Sequence, residues 1–196
     1  MRYRAIVIGS STGGMEALRI ILEVLPKSFS VPILIAQHVS PHSDNYLATF
    51  LDRVCQISVK EAEEKEKAIP GYAYLAPPNY HLLAETDGSL SLSVEARVSY
   101  ARPSIDVLFE SAAEAYNRGL IGIVLTGANS DGSKGLKRIK ECQGLTIVQD
   151  PNTAQAEAMP RAAINATNVD YITPLIGIGP LLNKIIIGKS GEKSGY

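Results

Sequence analysis

An α/β fold, with a doubly wound, mostly parallel sheet between two helical layers, is what this sequence predicts. Three observations carry the prediction. Short apolar runs rich in β-branched residues, such as those at 5–9, 31–36 and 121–126, read as strands buried on both faces. Each is followed by small and polar residues, and two or more lead into apolar positions at helical spacing, the β-α alternation that calls for parallel strands. Between residues 57 and 100 the period changes to short segments divided by turn residues, which adds an antiparallel hairpin region.

Taken in order, Ala5 to Gly9 is the first buried strand, broken by Ser10, Ser11, Thr12, Gly13 and Gly14. Met15, Leu18, Leu22 and Leu25 then recur at helical spacing until Pro26, whose ring and missing N–H forbid continuation. Val31 to Ala36 is a second buried strand, and a helix with Leu47, Phe50, Leu51 and Val54 on one face follows it. Tyr72 to Leu75, His81 to Ala84 and Leu90 to Val94, with Asp87-Gly88 as a turn, predict an antiparallel insertion or sheet edge. The mixed-sign run from Lys60 to Lys67 is a solvated surface. Helical periodicity returns at Ile105, Leu108, Phe109, Ala112 and Tyr116. A third buried strand, Ile121 to Thr126, ends in a loop from Gly127 to Gly132. A helix to Cys142, a strand around Thr146 to Val148 and a helix containing Leu181, Leu182, Ile185 and Ile186 complete a Rossmann-like, three-layer domain over 1–188, with a disordered tail over 189–196.

Composition narrows the function classes. With 45% apolar and 20% charged residues and a formal net charge of -1, the chain offers no electrostatic reason to bind nucleic acid. No apolar run approaches the ~20 residues that cross a bilayer, and the first residues run straight into a strand, so a cytoplasmic protein without membrane insertion is expected. The cysteines, Cys55 and Cys142, lack metal-ligand or redox spacing and read as buried free thiols. No metal or organic cofactor is expected.

The chemistry lies in the turns. Gly9-Ser10-Ser11-Thr12-Gly13 fits G-x-S-x-G after a strand and before a helix, where a sharp turn needs small neighbours so that one hydroxyl projects above the sheet. The helix that follows aims its N–H groups and positive end at that hydroxyl. A phosphate cradle is the competing reading of such a turn, although neither full glycine-rich nucleotide fingerprint is present. A serine nucleophile needs a base. Of His38, His42 and His81, only His38 follows a parallel strand directly, at the carboxyl edge where α/β sites form. His42 reads as exposed or capping, and His81 as a structural histidine of the hairpin region. Asp131 sits at another strand's carboxyl end and can orient His38, with helix capping as the alternative role. The chain order Ser, His, Asp differs from that of ordinary α/β-hydrolases.

At these turns the chain resembles the catalytic domain of CheB, the protein-glutamate methylesterase family of bacterial chemotaxis. The matching segments are 8–14, Gln37-His38, 125–127 with Asp131-Gly132, 76–81, 102–109 and 159–164, in the family's order over roughly residues 4 to 187. The resemblance implies Ser11 as nucleophile, His38 as general base and then acid, and Asp131 as the residue that orients it. Thr12 matches a site-shaping residue, and Ala128 stands where the family commonly has a methionine whose backbone N–H serves the oxyanion. The implied substrates are glutamate γ-methyl esters on the cytoplasmic helices of methyl-accepting chemotaxis receptors, with methanol as product and deamidation of receptor glutamines as a companion activity. A phosphate- or nucleotide-binding module and a catalytically silent receptor-binding scaffold are the alternatives. Family members usually begin with a phosphorylatable receiver domain, which this chain does not carry before its first strand. The chain is either a free-standing member or a fragment of a longer, receiver-containing protein; this polypeptide by itself is expected to be active without phosphorylation, with control by a separate protein left open.

Overall fold

In chain order the elements are β1 (Ala5–Ser10), α1 (Gly14–Leu22), β2 (Ile33–Gln37), α2 (Tyr46–Val54), β3 (Ser58–Glu61), β4 (Tyr72–Leu75), β5 (His81–Ala84) and β6 (Leu90–Ser93). They continue with α3 (Ile105–Tyr116), β7 (Leu120–Val124), α4 (Ser133–Glu141), β8 (Leu145–Gln149), α5 (Ala158–Ala166), β9 (Tyr171–Thr173) and α6 (Leu175–Ile186). This computed structural model describes residues 3–188, so the tail expected to be disordered lies outside the described residues.

Seven strands form one sheet in the order β3-β4-β2-β1-β7-β8-β9, and every neighbouring pair is parallel. Side chains of a strand alternate between faces, so the central strands supply two cores. Ile6, Ile8, Ile33, Ile35, Ile121 and Ile123 pack with α1, α2 and α6 on one side. Ala5, Val7, Leu34, Ala36, Leu120 and Val124 pack with α3, α4, α5 and the β5-β6 hairpin on the other. The chain winds outward from β1 through β2, then crosses to β7 on its other flank. That reversal opens a crevice at the carboxyl ends of β1 and β7.

Several expectations are corrected. Tyr72–Leu75 belongs to the main sheet, parallel between β2 and β3, while β5 and β6 pair antiparallel as a separate two-stranded sheet, with isolated antiparallel bridges at Lys67–Ser89 and Val98–Ala101. Met15 is 46% exposed, because α1 turns Ala17, Leu18, Ile21 and Leu22 to the core instead. His42 is exposed, as expected, in the loop before α2, and the N-cap of that helix is Asn45 instead. Both cysteines are free and half-buried, not fully buried, and burial pushes the Cys55 thiol up to about 11.

Candidate active site

Strand register brings Ser11 and His38 together. Ser10 stands opposite Gln37 in the parallel β1-β2 pair, so the next residue of each strand leaves the sheet beside the other. The His38 N–H donates to the Ser10 carbonyl at 3.0 Å. Gln37 braces both turns: its Oε1 accepts from Ser10 Oγ at 2.6 Å, and its Nε2 donates to the carbonyls of Ser11 at 3.0 Å and His38 at 2.9 Å. Gly14 makes room for that brace, since a Cβ there would collide with Gln37 Oε1. From the other flank the Ser11 N–H donates to the Thr126 carbonyl at 3.0 Å, and Thr126 Oγ1 donates to the Thr12 carbonyl at 2.8 Å.

Asp131 reaches the site from the loop between β7 and α4 and is 1% exposed. Its carboxylate accepts from His38 Nε2 at 2.8 Å, Ser104 Oγ at 3.0 Å, and the N–H groups of Ile105 at 2.8 Å, Asp106 at 3.0 Å and Gly132 at 3.0 Å. Ser104 is the N-cap of α3, and Ile105 and Asp106 open its first turn. The charge therefore sits on the positive end of a helix. Burial pushes the Asp131 carboxyl up, but the bonds from His38, Asp106 and Ile105 outweigh it and hold the group below the ordinary carboxylate range.

This carboxylate settles the roles of the imidazole nitrogens. An ionised carboxylate only accepts, so Nε2 carries the hydrogen and Nδ1 carries the lone pair. Nδ1 faces Asn129 Nδ2 at 3.4 Å, a long contact, rather than Ser11 Oγ. Among the described residues, no backbone carbonyl accepts from the N–H groups of Thr12 and Ala128, and both residues are exposed. Beside His38 lies a cavity of about 290 Å³ whose wall includes Asn129, Arg97, Tyr100 and Arg102 and no carboxylate. Among the described residues no group of three or more His, Cys, Asp or Glu is placed to hold a metal ion.

The CheB methylesterase profile matches residues 6–182. This chain belongs to the CheB methylesterase family. A protein from Leptospira interrogans named as a putative protein-glutamate methylesterase/protein-glutamine glutaminase is 54% identical over 185 residues, 94% of this chain and 96% of that protein. One from Cupriavidus pinatubonensis, named protein-glutamate methylesterase/protein-glutamine glutaminase 2, is 43% identical over 175 residues, 88% of this chain but 49% of that one. The CheB methylesterase catalytic domain of Thermotoga maritima superposes with a TM-score of 0.90 at 35% identity, over 95% of this chain and 100% of that domain.

Within this CheB-type framework, Ser11, His38, Asp131, Thr12 and Ala128 all lie around the β1-β7 crevice. His81, on β5, is 1% exposed and structural: Nδ1 accepts from the Ser104 N–H at 3.1 Å and Nε2 donates to the Ala96 carbonyl at 3.1 Å. Sequence reading missed the α3 clamp on Asp131, although a serine just before the apolar run from Ile105 is a readable N-cap signal. It also missed the Gln37 brace and the side chain of Asn129. Neither has a local signature, because both act across strands.

Proposed function

We propose that this chain is a serine hydrolase that removes the methyl group from glutamate γ-methyl esters on the cytoplasmic helices of chemoreceptors, and deamidates receptor glutamines through the same intermediate. Ser11 is the nucleophile, His38 the base and then the acid, and Asp131 the orienting carboxylate. The observation that carries the reading is the buried Asp131 carboxylate bonded to His38 Nε2 at 2.8 Å, with His38 following β2 and Ser11 following the neighbouring strand β1. Such a pairing fixes the tautomer and stabilises the imidazolium that forms.

In the first half-reaction Ser11 Oγ forms a bond to the ester carbon while its proton passes to His38 Nδ1. The carbonyl electron pair moves onto oxygen, which accepts from the N–H groups of Thr12 and Ala128. Collapse breaks the carbon–methoxy bond, the His38 proton passes to the methoxy oxygen, and methanol leaves an acyl-Ser11. Water, deprotonated by His38, repeats the sequence and releases glutamate.

The direct test is methanol release from methylated receptor by the purified chain, together with labelling by an organophosphonate. Ser11→Ala is expected to lose the label and to reduce kcat by a factor on the order of 10⁶. An alanine variant that still turned over at the wild-type rate would end this reading, and a wild-type protein that bound receptor without releasing methanol would favour a scaffold instead.

A further inference from the structure

Among the described residues, Asn129 is the side chain whose polar group faces His38 Nδ1. Its Oδ1 accepts from the Asp131 N–H at 3.1 Å, which turns the amide so that Nδ2 faces His38 Nδ1 at 3.4 Å. The residue is exposed and lines the cavity beside His38, so a substrate group entering there meets the second hydrogen of Nδ2 as well. The first role of this donor is slight. At 3.4 Å the bond to the lone pair is weak, and the Ser11 hydroxyl displaces it at little cost.

Its larger consequence comes when the leaving group departs. The nitrogen that takes the proton from Ser11 is also the one that delivers it to the leaving atom, so the leaving atom arrives at His38 Nδ1 and therefore beside Asn129 Nδ2. We propose that Asn129 is a specificity-determining residue that favours ester over amide, by donating a hydrogen bond to the leaving methoxy oxygen. The proposal rests on the assignment of Ser11, His38 and Asp131 given above.

The two leaving atoms differ in their lone pairs. In the tetrahedral adduct of an ester, the methoxy oxygen has two. One takes the proton from His38 Nδ1 and the other accepts from Asn129 Nδ2 while the carbon–oxygen bond breaks and its electron pair goes to methanol. In the adduct of a glutamine the tetrahedral nitrogen has a single lone pair and two hydrogens. That lone pair must take the His38 proton before ammonia can leave, so the Asn129 donor finds no acceptor and faces hydrogens of like polarity. A donor at this position lowers the barrier for one substrate and not for the other, which is how a site discriminates in kcat/KM.

Two substitutions separate this role from the support Asn129 gives the Asp131 loop. Asn129→Ala removes both. Asn129→Asp keeps an acceptor for the Asp131 N–H and replaces the Nδ2 donor by an oxygen. For the wild-type chain and each variant, kcat/KM is measured for methanol release from a receptor fragment bearing the methyl ester and for ammonia release from the same fragment bearing glutamine at that position. The ratio of methylesterase to glutaminase activity is expected to fall about tenfold in both variants, the size of one hydrogen bond realised in the transition state. A ratio within twofold of wild type in either variant overturns the proposal, even if both activities drop, because equal losses are what a purely structural role produces. Failure of the wild-type chain to hydrolyse either substrate overturns the assignment of the site itself, and this inference with it.

Discussion

A single buried carboxylate organises the chemistry at the scale of the residue. Asp131 has donors around it from His38, Ser104, Ile105, Asp106 and Gly132, so replacing it with asparagine does two things. The amide nitrogen must face at least one of those donors, and leaving such a buried group unsatisfied costs about 1–3 kcal/mol, visible as a lower melting temperature. Loss of the charge also frees the wrong tautomer of His38, and kcat is expected to fall about 10⁴-fold in receptor demethylation. His81 offers the contrast. His81→Ala orphans the Ser104 N–H and the Ala96 carbonyl, so it should lower the melting temperature, yet its cost in kcat should stay far below that of His38→Ala. Equal kinetic losses in two folded variants would mean that His81 rather than His38 handles the proton. Both histidines were separable in the sequence because only one follows a parallel strand; what His81 holds in place was not, since its partners are the Ala96 carbonyl, 15 residues on, and the N–H of the α3 cap Ser104, 23 residues on.

Two helix ends hold each other at the scale of the element. Asp131, just before α4, receives the first N–H groups of α3, and Asp106, within α3, receives the Gly135 N–H of α4 at 2.7 Å. Each helix is capped by a carboxylate belonging to the other. Gly135 allows the approach, because a Cβ there would collide with Phe109. The two acids respond differently to this shared site. Burial pushes the Asp106 carboxyl up to about 6, the Gly135 N–H pulls it back, and the charge of Asp131 adds to the rise. A carboxyl raised in the folded state binds its proton more tightly there than in the unfolded chain. Its contribution to stability is thus full below the unfolded value near 3.8 and is lost as pH rises through about 6. Asp131, held low, contributes in the opposite sense, with its share lost as pH falls below the ordinary carboxylate range. Asp106→Asn keeps an acceptor for Gly135 and removes the titration. The melting temperature of this variant relative to wild type is therefore expected to climb between pH 4 and pH 7, by the equivalent of about 2 kcal/mol at about 1.4 kcal/mol per pKa unit. A difference that does not change with pH would show that Asp106 is already ionised throughout.

Across the whole molecule, the strands that position the site were legible and the edges of the sheet were not. β1, β2 and β7 are largely apolar runs, and β8 nearly so with Thr146 and Gln149, because helices cover both of their faces. Ser58–Glu61 and Tyr72–Leu75 are only four residues each, and a short strand bounded by turn residues does not disclose which neighbour it pairs with. Tyr171–Thr173 is shorter still and mostly exposed, so no period marks it. Serine, histidine and aspartate could be found because each follows a legible strand, Ser11 and His38 directly and Asp131 within the loop after β7, whereas the α3 clamp depends on how one layer sits on another. That dependence has a mechanical consequence. Gly9 lies in β1 where α3 crosses it, and a Cβ there would collide with the Ile105 side chain, whose N–H holds Asp131. Gly9→Ala must push the first turn of α3 away from the sheet, an overpacking that costs about 1–3 kcal/mol and loosens the Asp131 clamp at the same time. Leu182, fully buried on α6, belongs to the core on the opposite face, so Leu182→Ala should cost about 2–5 kcal/mol without moving the clamp. Measured well below both melting temperatures, receptor demethylation is expected to fall at least tenfold in Gly9→Ala, on the scale of ~1.4 kcal/mol of lost transition-state stabilisation. It should stay within twofold of wild type in Leu182→Ala, although that variant is the less stable. If activity instead follows stability in both, the site senses general loosening of the molecule and the α3 layer has no special hold on its geometry.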